Sequence, residues 1–280
     1  MKKYFTLFFI TLFFNALPQT DSIQTNFWKT EGTVGLNINQ IALSNWSQGG
    51  DNALAWTVVL NMAANYSSKD INLRNSLKVA YGRTKLGDAD YRTNDNELFQ
   101  ESVLAYLLGW AIDPYISNSI RTSVGNGFDY KATPYFQVAS FFDPGYITQS
   151  IGFAYNRIEG FNTRIGLAFQ ETFTNDYPQY SDDPDTKDEI EKFKFDTGIE
   201  TVTEGRVTFE QNLSLTSKLR LFSRFNSLDV WDVRWDNTIT AQVIKYVNVN
   251  LNVLLIYEKS QSLKTQIKEA LQLGVVVNLF

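Results

Sequence analysis

From Leu54 onward the chain changes character at every residue. Leu54, Trp56, Val58, Leu60, Met62, Ala64 and Tyr66 are apolar or aromatic, while the interleaved Ala53, Ala55, Thr57, Val59, Asn61, Ala63 and Asn65 are small or polar. A period of two puts one set on each face of a β-strand. The pattern returns further on. Leu73, Leu77, Val79 and Tyr81 oppose Asn72, Arg74, Ser76 and Lys78. Val247, Val249, Leu251, Val253, Leu255 and Tyr257 alternate with Asn248, Asn250 and Asn252. Leu271, Leu273, Val275, Val277 and Leu279 alternate with Gln272, Gly274 and Asn278.

These segments are long, about twelve to sixteen residues, where strands of ordinary globular proteins run about 5–6. A tilted strand needs about 9–11 residues to cross the hydrocarbon of a bilayer. No later run is apolar enough to span as a helix, and only helices and closed barrels satisfy their backbone in lipid. Aromatic residues near segment ends (Trp56, Tyr66, Tyr81, Trp110 and Tyr257) fit interfacial girdles.

The fold expected is therefore all-β: a transmembrane antiparallel up-and-down β-barrel of about twelve strands, with fourteen as the alternative. The segments are 30–44, 52–67, 70–85, 96–111, 114–127, 145–158, 161–173, 203–215, 217–228, 232–245, 246–259 and 266–280. Short turns fall near Ser68-Lys69, Ile112-Asp113, Glu159-Gly160, Thr216 and Lys245-Tyr246. Longer connections fall at 45–51, 86–95, 128–144, 174–202, 229–231 and 260–265, and alternate with the turns as an even-stranded barrel requires. The stretch 190–204 carries a Phe193/Phe195 alternation but is assigned to a loop, because a thirteenth strand breaks the parity. The fourteen-strand count uses 132–142 as well. The loops 128–144 and 174–202 are taken as external.

Lys2 and Lys3 precede an apolar run, Tyr4 to Phe14, interrupted only by Thr6 and Thr11. That is the layout of a secretory signal peptide, placed over 1–19 with cleavage between Asn15 and Asp21. A periplasmic lead, 20–29, then precedes the barrel, 30–280. The expected location is the outer membrane of a Gram-negative bacterium, reached by Sec-dependent export. The expected partners are outer-membrane lipid, lipopolysaccharide and the barrel-assembly machinery during insertion, with an unknown envelope protein possible. A terminal aromatic, Phe280, is the usual assembly signal of such barrels, although strict alternation assigns it to the polar set.

Composition narrows the chemistry. The chain has no Cys and no His, so disulfides, thiolate metal sites, imidazole-zinc sites and Ser-His-Asp triads are excluded. Its formal charge of −5 and the lack of a basic stripe argue against nucleic acid. No catalytic residue, cofactor or metal is assigned. A Ser/Lys dyad or a carboxylate dyad, for instance Asp90 with Asp95, is the form a histidine-free enzyme would take, though no spacing marks one.

Four features carry candidate roles. Arg74, Lys78, Arg121, Arg164, Arg220, Arg224, Arg234 and Asp236 fall on the polar faces, which line the lumen of a barrel. They either border a solute path or fill the lumen as braces of Arg-carboxylate pairs. Leu60, Val79, Leu251, Val253 and Val275 fall on the lipid side. The segment around Trp46, Gly49 and Gly50 is either a ligand contact or a hairpin tip with an aromatic anchor. The acidic run Asp182, Asp183, Asp185, Asp188, Glu189 and Glu191 is either a calcium site or a solvated loop, and it lacks EF-hand spacing.

One ordered set of short motifs is more specific. Leu43-Ser44-Asn45-Trp46-Ser47-Gln48-Gly49-Gly50 is followed by Asn61-Met62-Ala63-Ala64-Asn65-Tyr66, Ala80-Tyr81-Gly82 and Thr93-Asn94-Asp95. Then come Ser140-Phe141-Phe142-Asp143-Pro144-Gly145-Tyr146-Ile147 and Lys218-Leu219-Arg220-Leu221-Phe222-Ser223. This order resembles the Bacteroidota barrel family known as domain of unknown function 3078, over residues 28–280. It departs from the family in the acidic stretch 168–200 and in Asp143 before Pro144. The resemblance implies an outer-membrane barrel and carries over no catalytic residue. The function expected is a passive pore, small-solute conduit or structural barrel. A scaffold or binding barrel of an envelope complex is the alternative, and a histidine-free enzyme the third.

Overall fold

The computed structural model describes residues 27–45, 50–183, 186, 189–259 and 264–280. Within them the chain forms fourteen strands. They are β1 (Trp28–Ile41), β2 (Ala53–Ser67), β3 (Ile71–Leu86), β4 (Arg92–Tyr106), β5 (Asp113–Thr122), β6 (Gly127–Asp129), β7 (Phe136–Ala139), β8 (Gly145–Ile158), β9 (Phe161–Phe173), β10 (Phe193–Glu210), β11 (Leu213–Arg224), β12 (Asp232–Ile244), β13 (Val247–Tyr257) and β14 (Gln266–Asn278). Twelve of them close into one antiparallel barrel, and β6 and β7 form a separate two-stranded sheet. The barrel closes where β1 pairs with β14, from Thr33 opposite Asn278 to Ile38 opposite Leu273.

Every barrel strand is paired on both sides, so no sheet edge is left open. One end of the barrel carries tight connections. Ser68 Oγ accepts the Ile71 amide at 3.1 Å to turn β2 into β3. Gly160 takes a left-handed φ of +73° between β8 and β9, a conformation that favours glycine. The other end carries the long connections, of which 123–144 and 174–192 are the largest.

Alternation sorts the side chains between the two surfaces. Leu60, Val79, Leu251, Val253 and Val275 lie on the outward set. That set is heavily exposed in mid-strand: Ile116 is 53% accessible, Leu167 50% and Leu271 62%. The buried apolar residues are few and mostly small, such as Ala80, Ala105, Ala154 and Ala168. A chain with so little apolar interior and so much apolar exterior has turned its hydrophobic surface outward all round. Aromatics border this belt at both ends, with Trp28 against Tyr66 (5.2 Å between ring centroids) at one and Trp56 against Tyr81 (6.2 Å) at the other. The outward carboxylates Glu171 and Glu269 both lie close to the long-loop end of their strands.

The twelve-strand expectation holds, with several boundaries moved. The stretch 190–204 is not loop. Strand β10 begins at Phe193, so the long connection after β9 ends at Lys192 and not at 202. The segments 203–215 and 217–228 therefore become the end of β10 and the whole of β11, joined at Gln211-Asn212 and not at Thr216. The reason is compositional. On β10 the outward set includes Thr197, Thr201 and Thr203, and the inward set includes Asp196, Glu200 and Glu204, which blurs the contrast between faces. The fourteen-strand alternative fails because β7 pairs only with β6, outside the barrel. Strand β4 ends at Tyr106, since Gly109 turns the apolar stretch 107–112 with a φ of +77°. Strand β1 starts at Trp28, within the expected lead. The expected signal segment, Trp46 and Gly49 lie outside the described residues. Gly50 has a φ of +113° at the start of the approach to β2.

Candidate functional site

The site is the lumen. Glu97 and Glu101 stand four residues apart on β4 and both face inward. Arg234 from β12 brings Nη2 to 2.5 Å from Glu97, and Lys78 and Arg121 approach the same carboxylate at 3.4 and 3.5 Å. Glu101 is met at 2.5 Å by Arg164 from β9 and at 2.6 Å by Lys218 from β11. Lys218 also reaches Glu204 at 2.7 Å, and Glu204 takes Arg74 at 3.1 Å. Arg74 donates its other arm to Asn162 Oδ1 at 3.0 Å. Lys78 further pairs with Asp236 at 3.4 Å.

This network joins β3, β4, β5, β9, β10, β11 and β12 across the barrel interior. Nearer the long loops, Arg220 donates to Glu200 (2.6 Å) and Gln170 (3.0 Å), and Arg224 sits between Asp196 (3.0 Å) and Asp232 (2.7 Å). All eight charged positions expected in the lumen face inward, and each pairs with a group of opposite charge. Charges of both signs at these distances hold one another in place, and each carries the penalty of partial removal from water.

The network divides the interior. Towards the long loops lies a cavity of about 200 Å³ bordered by Glu97, Arg121, Gln170, Glu200, Arg220 and Tyr257. The other, of about 690 Å³, extends to Gly160 at the short-turn end and is bordered by neutral amides such as Asn37, Asn61, Asn162, Asn248, Asn250 and Asn252 and by charged residues including Asp95, Glu204, Arg206 and Lys268. Lys78, Lys218 and Asp236 border both, and so form the waist between them. On the β14 side, Lys268 pairs with Asp95 at 3.0 Å. Asp95 is therefore bound to a lysine across the lumen, and Asp90 lies on the connection before β4.

Of the acidic partners, only Asp236 is among the lumen positions expected from the sequence. Asp95, Glu97 and Glu101 follow period two on β4, a signal that was present. Asp196, Glu200 and Glu204 repeat every fourth residue on β10, but that segment had been assigned to a loop.

The long connections are tied to each other at the rim. The buried Asp143 carboxylate accepts the backbone N–H groups of Asn175 (3.0 Å) and Asp176 (2.7 Å), which explains an aspartate before Pro144. No residue of 123–144 borders either cavity. In the acidic run, Glu191 accepts the Asp183 amide (2.8 Å) and the Thr186 hydroxyl (2.7 Å), and these bonds hold its carboxyl below the ordinary range. Asp185 and Asp188 lie outside the described residues. Among the described residues no three metal-ligating side chains converge.

A family model described as "Protein of unknown function (DUF3078)" matches residues 38–128, from the end of β1 into β6. No curated protein matches the chain. Among solved structures, an outer-membrane channel from Pseudomonas putida F1 is similar at a TM-score of 0.39 and 12% identity, over 91% of this chain and 98% of that one. The translocator domain of the autotransporter NalP from Neisseria meningitidis is similar at 0.36 and 9%, over 91% and 89%. The β domain of the Bordetella autotransporter BrkA is similar at 0.34 and 10%, over 89% and 98%. Similarity at this level carries no functional information.

Proposed function

We propose that the protein is an outer-membrane β-barrel that acts as a narrow passive conduit for small polar solutes and has no catalytic activity. The observation that carries this reading is the lumen: two polar cavities, of about 200 and 690 Å³, that meet at a waist of Lys78, Lys218 and Asp236. Water-filled or ion-paired interiors inside an apolar outer belt are what barrels in a bilayer require. The rest of the proposal follows from the sequence. The chain is exported through the Sec pathway with its signal peptide over 1–19 removed, in a bacterium of the Bacteroidota. The barrel-assembly machinery inserts it, and the long connections 123–144 and 174–192 face outward among lipopolysaccharide.

Planar-bilayer recording tests the proposal. The wild type is expected to give small, reproducible conductance steps, and Asp236→Asn with Lys78→Met larger ones, because the waist loses a crossing pair. Silence from both, at protein densities where insertion is verified, contradicts a conduit.

A second reading is favoured by the density of ion pairs around Glu97 and Glu101. There the charges serve as braces, and the barrel is a scaffold for an envelope partner bound at the long connections. It predicts that silence, together with a stoichiometric protein on purification from solubilised envelopes.

A further inference from the structure

On β2, β3, β4, β5 and β8 the apolar outward surface is interrupted by one row. Ala64, Asn75, Ser102, Asn118 and Gln149 stand side by side on β2, β3, β4, β5 and β8, each in direct register with the next. All five belong to the outward set of their strands. The row runs between two apolar ridges. On one side are Leu73, Leu104, Ile116 and Ile151, in register with one another, of which Ile116 and Ile151 are each 53% exposed. On the other side are Leu77, Ile120 and Ile147, with Gln100 among them.

Part of the row is satisfied from within. Asn75 Nδ2 donates to the Ala64 carbonyl at 2.9 Å, Ser102 Oγ to Asn75 Oδ1 at 2.7 Å, and Gln100 Nε2 to Ser102 Oγ at 2.8 Å. The amides of Asn118 and Gln149 make no side-chain hydrogen bond among the described residues. A contrast is the outward polar group on β11 and β12. There Trp235 Nε1 donates to Ser217 Oγ at 2.9 Å and Ser217 Oγ to Asn237 Oδ1 at 2.8 Å, a chain of neighbours that satisfy one another.

We propose that the face formed by β3, β4, β5 and β8 is the interface of a two-fold symmetric dimer in the membrane, with Asn118 and Gln149 bonding to their counterparts in a second copy of this chain. Acyl chains offer an amide neither donor nor acceptor, so polar groups facing lipid gain by meeting a protein partner. A side-chain amide holds both a donor and an acceptor. A row of amides and a hydroxyl therefore complements its own copy turned about a two-fold axis, as an isologous contact demands. The charges on the outward set of β3, Arg83 and Lys85, lie at its long-connection end beside Tyr91 and away from the row, so a partner selected by opposite charge along the row is not favoured. The ridge of Leu104, Ile116 and Ile151 supplies apolar packing beside the polar row. The inference rests on the reading of the barrel as membrane-embedded.

The chain has no Cys, so a single introduced thiol reports unambiguously. Full-length Asn118→Cys in native membranes is treated with a short bis-maleimide, beside Leu271→Cys on the distant wall. A covalent band of dimer mass is expected for Asn118→Cys and not for Leu271→Cys. In lipid nanodiscs the wild type is expected as a dimer, and Asn118→Leu with Gln149→Leu as a monomer whose heat-modifiable gel migration shows a folded barrel. A monomeric wild type, a dimer that survives the double substitution, or a cross-link to a different protein would overturn the proposal. Recovery in the aqueous fraction sinks the membrane reading as well, whereas an embedded monomer sinks only the dimer.

Discussion

Arg234 on β12 and Glu97 on β4 meet with Nη2 2.5 Å from Oε1, although six strand steps separate them in either direction around the barrel. The pair spans the diameter of the lumen. Glu97 also receives Lys78 and Arg121, so one carboxylate gathers cations from three other strands.

Glu97→Gln leaves those three cations without their shared anion. Removing one partner of a buried charge group costs on the order of 3 kcal/mol. The variant is expected to unfold at lower urea concentration. Its current is expected to shift towards anions, read as a reversal potential across a salt gradient. An unchanged reversal potential would place the ion path away from Glu97.

Arg220→Glu sets a second carboxylate against Glu200, which Arg220 now meets at 2.6 Å. The folded fraction, read from gel migration without heating, is expected to fall. Adding Glu200→Arg is expected to recover most of it, because the swap restores opposite charges in adjacent places. Failure of the swap to recover folding would mean that the Gln170 contact, and not the ion pair, holds Arg220.

Leu251→Arg is expected to block assembly. Leu251 lies on the outward set of β13, and an Arg facing lipid costs about 2–4 kcal/mol near the bilayer midplane. Asn250→Ala, on the lumen side, loses an acceptor for Thr240 Oγ1 at 3.0 Å and a long donor bond to Asn37 Oδ1 at 3.5 Å, and is expected to insert normally. Membrane yield of the two variants checks the assignment, and equal yields contradict it.

Gly32→Val is expected to slow assembly. A Cβ on Gly32 would lie 2.8 Å from the Phe280 ring, which covers this position where β1 meets β14. The ring would be displaced at the seam that closes the barrel. Rates of appearance of the folded band in vesicles, compared with Gly32→Ala, measure the effect. Both variants folding at the wild-type rate would show that the ring is not part of the closure.

Asp143→Ala is expected to loosen both long connections together, since its carboxylate holds the amides of Asn175 and Asp176. Limited proteolysis should then cut within 174–192 faster than in the wild type, while conductance is retained.

Much of the barrel was legible because an apolar outer face and a polar inner face alternate along most strands. β2, β3, β13 and β14 show that contrast residue by residue, and β8 and β9 fell on their expected bounds. The failures lie where the contrast fades. β10 places threonines towards lipid and acids towards the lumen, so both faces look polar. The segment 107–112 is apolar yet turns, because Gly109 supplies a conformation that its neighbours resist. The basic half of the site was legible as inward Arg and Lys. In its acidic half, Asp95, Glu97 and Glu101 show the inward period on β4, but their pairing with cations such as Arg234, 137 residues from Glu97, depends on which strands face each other.

The central claim is that successive residues of one strand face lipid and lumen in turn. Cysteine scanning along β13, from Asn248 to Leu255 in the otherwise cysteine-free chain, tests it most directly. Each variant is inserted in vesicles and exposed to a membrane-impermeant maleimide, and a lipid-phase quencher is applied to the same sites carrying a fluorescent label. Labelling is expected at 248, 250 and 252, and quenching at 249, 251 and 253. Uniform labelling along the strand, or quenching without period two, would contradict the account.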